Sequence, residues 1–275
     1  MSLSLPLSPQ VFAILSALIE ERTGLHYDLH ERELLGDRVS GRAIERGFES
    51  LLDYYYFLRY DPGADAELTS LADALVVNET YFFRELPALK LLVEQLVPAL
   101  LEVGVRPRLW CAACSTGEEP LTLAMLLDEA GLLDRVNIVA SDISGRALSH
   151  AKAGHYRRRS LRALPKGVVG RWLEGNEEDG MRVAPHLSRA VDWQQVNLTD
   201  RERVSKMGTF DAILCRNVLI YFRDRTIESV IEGLWQRLNP NGYLFVGTSE
   251  SLLRFDVPFG CEEQRGTFFY RKQLK

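Results

Sequence analysis

The chain has 275 residues, 46% hydrophobic and 26% charged, with 33 basic against 38 acidic side chains and a formal charge of −5. It is too long for a disulfide-stapled miniprotein and too apolar for a disordered tail, so one large core or two unequal ones are expected. The negative balance argues against a general nucleic-acid binder relying on net positive charge.

Four cysteines, two of them as Cys111-Ala-Ala-Cys114, make no secreted disulfide framework, and no second C-x-x-C completes a zinc site. The opening MSLSLPLSPQ lacks a basic segment followed by a long apolar stretch. Even LLVEQLVPALLEVGV is interrupted by Glu94, Pro98 and Glu102, well short of the ~20 apolar residues of a membrane span. A soluble, cytoplasmic protein without direct membrane insertion is expected. No long heptad pattern forces assembly, so a monomer is expected.

In chain order, Ser8-Pro9 caps and starts a helix in which Val11, Ile14, Leu15, Leu18 and Ile19 recur at helical spacing, and Gly24 ends it. Further helices are expected over Asp28–Arg46, stopped by Gly47, over Leu51–Tyr60 before the Asp61-Pro-Gly turn, and over Ala66–Val77. After Arg106-Pro107 short apolar runs alternate with helical segments: RLWCA (108–112), NIVAS (137–141), 191–196, FDAILC (210–215), YLFVG (243–247) and TFFYR (267–271). Strands separated by helices predict βαβ units and a mostly parallel sheet covered on both faces. The final strand follows its predecessor with no helix between, so it is the one expected to run antiparallel. Between Tyr156 and Val191 the chain reads as a helix, a turn at Glu174–Gly180 and a short strand, Met181–Val183.

The expected architecture is therefore an α/β fold: a Rossmann-like sheet over residues 86–275, an all-helical N-terminal domain over 1–85, and a small β-subdomain inserted at about 165–190.

Trp110-Cys-Ala-Ala-Cys-Ser-Thr-Gly-Glu-Glu-Pro120 joins a predicted strand to a helix through small residues, which lets a ligand approach the backbone. It is neither the dinucleotide fingerprint nor a phosphate-binding loop. Glu118 and Glu119 would repel phosphates there and suit a ligand bearing an ammonium group; an ordinary tight turn is the plainer reading. Asp142, 25 positions after Gly117, ends the next strand. An acid there either hydrogen-bonds a ribose hydroxyl pair or caps the following helix. Together the two signals favour S-adenosylmethionine over a dinucleotide.

At these residues the sequence resembles a known family. CSTGEEP, ASDIS, VNLTD, FDAILCRNVLIYF and LNPNGYLFVGTSE, with VVNETYFFRE upstream, look like the bacterial chemoreceptor glutamate methyltransferases (CheR type), class I methyltransferases that transfer a methyl group from S-adenosylmethionine to receptor glutamates. The resemblance covers nearly the whole chain. It implies that Asn78, Thr80 and Arg84 reach the cofactor from the helical side, Glu118 its amino group and Asp142 its ribose. It further implies Asn197 and Leu198 beside the adenine, and Arg216 and Asn217 beside the cofactor at a strand end. Arg84 could hold the incoming carboxylate, and Tyr221 matches a family tyrosine near the transferred methyl, although a core aromatic fits that apolar run as well.

A glutamate side chain has a pKa of about 4.3 and is already an anionic nucleophile at neutral pH, so the transfer needs alignment, not a general base. His26, His30, His150, His155 and His186 are read as lying in no triad-like or metal-like arrangement, and no metal is expected. Arg38, Arg42 and Arg46, at i, i+4 and i+8, read as a basic stripe docking the cytoplasmic methylation helices of chemoreceptors, or as a solvated face with ion pairs. The stretch between Arg171-Trp-Leu173 and Met181-Arg-Val183 looks short for binding a receptor-tail peptide. Rival readings are a class I methyltransferase for a small molecule or RNA, and a non-catalytic sensor binding S-adenosylmethionine or its product S-adenosylhomocysteine.

Overall fold

The computed structural model describes residues 4–176, 178–257 and 259–273. Its first helix, α1 (Pro9–Thr23), begins and ends where the capping residues dictate. The Ser8 hydroxyl accepts the Val11 N–H, Pro9 occupies the first turn, and Gly24 closes the helix at φ +80°. The second expected helix is divided. Asp28 and Glu31 form a reciprocal capping box around a 3₁₀ turn at Leu29–Glu31, and α2 runs only over Arg32–Glu45. Helices α3 (Leu51–Tyr60) and α4 (Ala64–Leu75) complete a helical layer whose core includes Leu15, Ile19, Leu35, Tyr54, Leu58 and Leu75.

Residues 76–85 then cross to the second part of the chain. It opens with α5 (Leu86–Leu91), a π-helical turn at Leu92–Leu96 and α6 (Val97–Glu102). There follow β1 (Arg108–Ala112), α7 (Glu118–Glu129), β2 (Asn137–Asp142), α8 (Gly145–Ala153), β3 (His155–Tyr156), α9 (Arg158–Leu161), β4 (Leu173–Asn176), β5 (Gly180–Val183) and α10 (Pro185–Arg189). The chain ends through β6 (Val191–Gln195), α11 (Arg201–Ser205), β7 (Phe210–Cys215), α12 (Asp224–Arg237), β8 (Leu238–Val246), β9 (Phe259–Gln264) and β10 (Thr267–Lys272).

Seven strands form the main sheet in the order β6-β2-β1-β7-β8-β10-β9. All neighbours up to β8 pair in parallel, and β10 pairs antiparallel with both β8 and β9. One strand therefore opposes the rest, as expected. The edge strand β9 has no counterpart in the sequence reading: its intermediate and exposed residues alternate without an apolar face strong enough to announce it.

The central strands are buried on both faces. Leu109 and Cys111 of β1 pack into one core and Trp110 and Ala112 into the other, the period-2 division of a sheet covered by helices on both sides.

The inserted β-subdomain is a three-stranded antiparallel sheet, β3-β5-β4. It starts at His155, ten residues ahead of the expected boundary, because two residues of that segment pair with Met181 and Arg182. The expected turn at 174–180 is also narrower, since Glu174, Gly175 and Asn176 are strand; Glu177 lies outside the described residues.

Candidate active site

The order of the sheet reverses between β1 and β7: from β1 the chain moves outward through β2 to β6, and from β7 outward through β8. Ligands bind beyond the carboxyl ends of parallel strands at such a switch point. There a crevice of about 980 Å³, partly open to solvent, is enclosed by the loops after β1, β2, β6 and β7 and roofed by residues 76–84.

The backbone around it is held in costly conformations. Phe83 (φ 63°), Glu85 (48°), Ala113 (58°), Ser115 (51°) and Asn217 (58°) all adopt positive φ without being glycine. Each such residue costs on the order of 1–3 kcal/mol and persists only where its surroundings over-determine it. At Gly117, which starts α7 at φ +94°, a Cβ would lie 2.6 Å from that of Ala151 and 3.1 Å from the Tyr156 hydroxyl. Glycine is therefore required for the first loop to close against α8.

Asp142 ends β2 in the cavity wall, 6% exposed, and accepts backbone N–H groups from Ser115 (2.8 Å) and Ser144 (2.9 Å). The capping residue of the next helix is Ser144, whose hydroxyl accepts from Ala147, so Asp142 is not the cap. Burial pushes the Asp142 carboxyl above its ordinary value, and the two backbone donors oppose that rise. Asn78 is likewise no helix cap: α4 ends at Leu75, and Asn78 Oδ1 accepts the Ser115 hydroxyl at 2.9 Å, drawing the roof onto the first loop.

Arg216, at the end of β7, is the electrostatic centre. Its Nη1 donates to Glu119 Oε2 at 2.6 Å, and its Nη2 donates to Glu85 Oε2 at 3.0 Å and to the Arg84 carbonyl at 2.9 Å. Burial opposes its charge, but Glu119 and Glu85 outweigh that and raise its pKa. Burial raises the Glu119 carboxyl, with Arg216 pulling it back, whereas at Glu85 Arg216, Asn217 and Thr248 together overcome burial and lower it. Glu250, unremarked in the sequence reading, holds the β7 loop: its carboxylate accepts N–H groups from Asn217, Leu219, Ile220 and Gly247 at 2.6–3.3 Å.

Of the expected site residues, Asn78, Thr80, Arg84, Asp142, Asn197, Leu198, Arg216, Asn217 and Tyr221 all face this one crevice. Glu118 does not line it. It is 1% exposed, and its carboxylate accepts the Thr116 and Ser160 hydroxyls at 2.7 Å each; the acid of α7 that fronts the cavity is Glu119. The Asn197 amide is turned to the Arg22 carbonyl at 2.8 Å, tying β6 to the end of α1. Burial raises the Tyr221 hydroxyl pKa, and the nearby charges of Arg84 and Arg38 oppose the shift.

The arginine stripe is a partly exposed face with hydrogen bonds and ion pairs of its own. Arg42 makes a two-point contact with buried Glu67 (3.0 and 2.6 Å), Arg46 lies 3.5 Å from the same carboxylate, and Arg38 donates to the Leu75 carbonyl. The reading of the histidines also needs correction. His30 gathers with Asp28 and Glu31, their ligand atoms within 4.8 Å of one another, but those acids are the capping box of an exposed 3₁₀ turn.

The crevice suits S-adenosylmethionine on the residues present. Leu25, Val76, Leu198 and Phe222 offer apolar wall for a purine, Asp142 and Glu119 supply negative charge for a cationic ligand, and Arg216 Nε is a buried donor with no partner among the described residues. A sheet of this order with such a crevice at its switch point defines a class I S-adenosylmethionine-dependent methyltransferase.

Comparison with known proteins gives the family. Residues 78–267 match the family described as "CheR methyltransferase, SAM binding domain", and residues 10–76 match "CheR methyltransferase, all-alpha domain". The chain is 33% identical over 260 residues to chemotaxis protein methyltransferase 2 of Vibrio cholerae, covering 93% of this chain and 90% of that one. It is 35% identical to the chemotaxis protein methyltransferase of Klebsiella aerogenes, covering 94% and 89%, and 33% identical to that of Escherichia coli, covering 94% and 91%. The chain belongs to the CheR methyltransferase family. Among the described residues, no helix is long and apolar enough to cross a membrane.

Proposed function

We propose that the protein is a protein-glutamate O-methyltransferase that converts glutamates in the cytoplasmic region of chemoreceptors to methyl esters, releasing S-adenosylhomocysteine. The observation that carries this reading is the composition of the crevice wall. It holds no histidine or lysine among the described residues, and its one cysteine, Cys114, is kept a neutral thiol because burial raises its pKa. Amine and hydroxyl acceptors need deprotonation, but the acids of the wall are already engaged, Glu119 by Arg216, Glu79 by Arg159 and Arg162, and Asp142 by backbone N–H groups, whereas a carboxylate acceptor reacts as it stands.

When bound, S-adenosylmethionine supplies a methyl group already activated on a sulfonium. The chain's own residues bind, orient and exclude water. Asp142 accepts from the ribose hydroxyls, Asn197 and Leu198 flank the adenine, and Asn78 and Thr80 close the roof. Glu119, with Glu118 buried behind it, gives the amino end its negative surroundings, and Arg216 and Asn217 fix the loop beside the sulfur. Arg84, 28% exposed at the cavity wall, meets the incoming carboxylate, and Tyr221 aligns it. A boundary at residue 85 divides the roofing helical domain (1–85) from the catalytic one (86–275), and the enzyme works in the cytoplasm.

The test is incubation with methyl-labelled S-adenosylmethionine and cytoplasmic receptor fragments. Base-labile label on glutamate is expected. Label on RNA or a small molecule, or cofactor binding with no transfer to any acceptor, would overturn the reading.

A further inference from the structure

Arg42 and Arg46 of α2 share Glu67, Arg42 also meets Glu45, and Arg38 donates to the Leu75 carbonyl, so a basic surface with unpaired guanidiniums is to be sought elsewhere as well. One stands at the rim of the crevice. Residues 157–162, Arg-Arg-Arg-Ser-Leu-Arg, carry four arginines and no acid in a chain whose net charge is −5. Arg157 and Arg158 are exposed and have no carboxylate within ion-pair distance among the described residues. Arg159 and Arg162 are also exposed and share one acid, Glu79, whose residue lines the crevice; Arg162 reaches it at 2.8 Å. Arg162 also lies over the Tyr81 ring, 3.9 Å from its centroid.

The cluster is rigidly mounted. The Phe82 N–H donates to the Ser160 carbonyl at 3.0 Å, while the Ser160 hydroxyl donates to Glu118 at 2.7 Å. The helix turn bearing the arginines is thus bonded both to the roof of the crevice and to the acid at the start of α7.

We propose that Arg157 and Arg158, with Arg159 and Arg162 behind them, form the docking surface for the acidic helix that presents the substrate glutamate. This rests on the glutamate methyltransferase reading and adds where the substrate is held. Glutamates three or four residues apart on a helix stand about 5–6 Å from one another on one face, a spacing a row of guanidiniums can meet. Exposed charges of this kind govern encounter and specificity more than contact energy, so their signature is a salt-sensitive association. Four arginines on one helical turn are a small patch, and acidic Glu174, Glu178 and Asp179 sit in the adjoining β4–β5 hairpin, which disfavours a long polyanion such as RNA.

The experiment compares the full-length protein with the double variant Arg157→Glu/Arg158→Glu. Binding of a fluorescently labelled chemoreceptor fragment is followed by anisotropy, and its methylation by label transfer, across a salt series. The double variant should bind S-adenosylhomocysteine like the parent while its Kd and KM for the fragment rise about tenfold, a difference of about 1.4 kcal/mol, with a shallower salt dependence. A fragment with acids around the methylation site changed to lysine should restore binding to the variant. Unchanged fragment Kd and salt slope would overturn the proposal, as would a duplex RNA that displaces the fragment from the parent. If the fragment binds as expected yet no methyl ester forms, the reading of function fails and the docking surface stands.

Discussion

Arg216 and Glu119 face each other at 2.6 Å, and through its second terminal nitrogen the same guanidinium reaches Glu85 on the chain crossing from the helical domain. One side chain, 2% exposed, thus joins the end of β7, the start of α7 and the roof of the crevice. Removing one partner of a buried charge pair leaves the other unpaired, which costs about 3–5 kcal/mol. Arg216→Met should lose that much stability in urea unfolding, and pairing it with Glu119→Leu should recover part of the loss. Equal destabilisation by the single and double variants would count against the pair.

Glu85 is predicted to give its stability a defined pH window. Its pKa is held below the ordinary 4.5 because Arg216, Asn217 and Thr248 outweigh burial. A depressed folded-state pKa means stability fully present above the unfolded value and lost as pH falls through the folded one. The parent should therefore exceed Glu85→Gln in unfolding free energy at pH 7. That advantage should shrink once pH drops below about 4.5, as measured by unfolding curves from pH 7 to 3. A gap that widened on acidification would show the sign to be wrong.

Asp142 behaves oppositely, because burial raises its pKa above 3.8 in the ligand-free protein. In the free protein its ionisation costs stability as pH rises through that elevated value. Accepting from ribose hydroxyls requires the ionised form, so affinity for S-adenosylhomocysteine should begin to fall, on acidification, at a higher pH than for an exposed aspartate. Asp142→Asn should weaken binding about 10–100-fold, a loss of 1.5–3 kcal/mol for a charged hydrogen-bond acceptor, and flatten that pH profile. Calorimetry between pH 8 and 5 reads both effects; parallel profiles for parent and variant would contradict the role.

Glu250 supports the site without lining the crevice. Four backbone N–H groups converge on its carboxylate, and an amide in its place turns a donor toward some of them. Glu250→Gln should lower stability by about 1–3 kcal/mol and reduce turnover, because Asn217 would no longer be held at its positive φ. A variant equally stable but inactive would point instead to direct contact with substrate.

Gly24 joins the two parts of the chain. A Cβ there would lie 2.7 Å from Thr199 Cγ2 and 3.0 Å from Phe222, with φ at +80°, whereas one on Gly41 in α2 would meet nothing within 4 Å. Gly24→Ala should destabilise by about 1–3 kcal/mol, and Gly41→Ala should be stabilising by up to ~1 kcal/mol. Thermal unfolding of the pair provides the comparison.

Much of this was legible in the chain itself. The Ser8, Pro9 and Gly24 caps, the apolar runs of β1, β2 and β7, and the segments around Glu118 and Asp142 locate helices, strands and part of the site by rules that act over a few residues, whereas the segment around Arg216 was legible through the family resemblance. Local rules also explain the misses. Residues 259–264 carry too little apolar alternation to declare a strand, and His155–Tyr156 is a strand only because β5 lies beside it.

Covalent order and hydrophobic period thus determined the fold class and the order of the central strands, while the family resemblance named the nine residues that converge on one crevice. Only the tertiary structure decided where each charge is spent. Arg42 turns inward because a buried Glu67 from α4 waits 25 residues away, Glu119 rather than Glu118 fronts the cavity because Ser160 from the inserted subdomain claims Glu118, and Arg157 and Arg158 remain exposed. Pairing energy depends on distance and burial, and neither is set until segments remote in sequence have packed together.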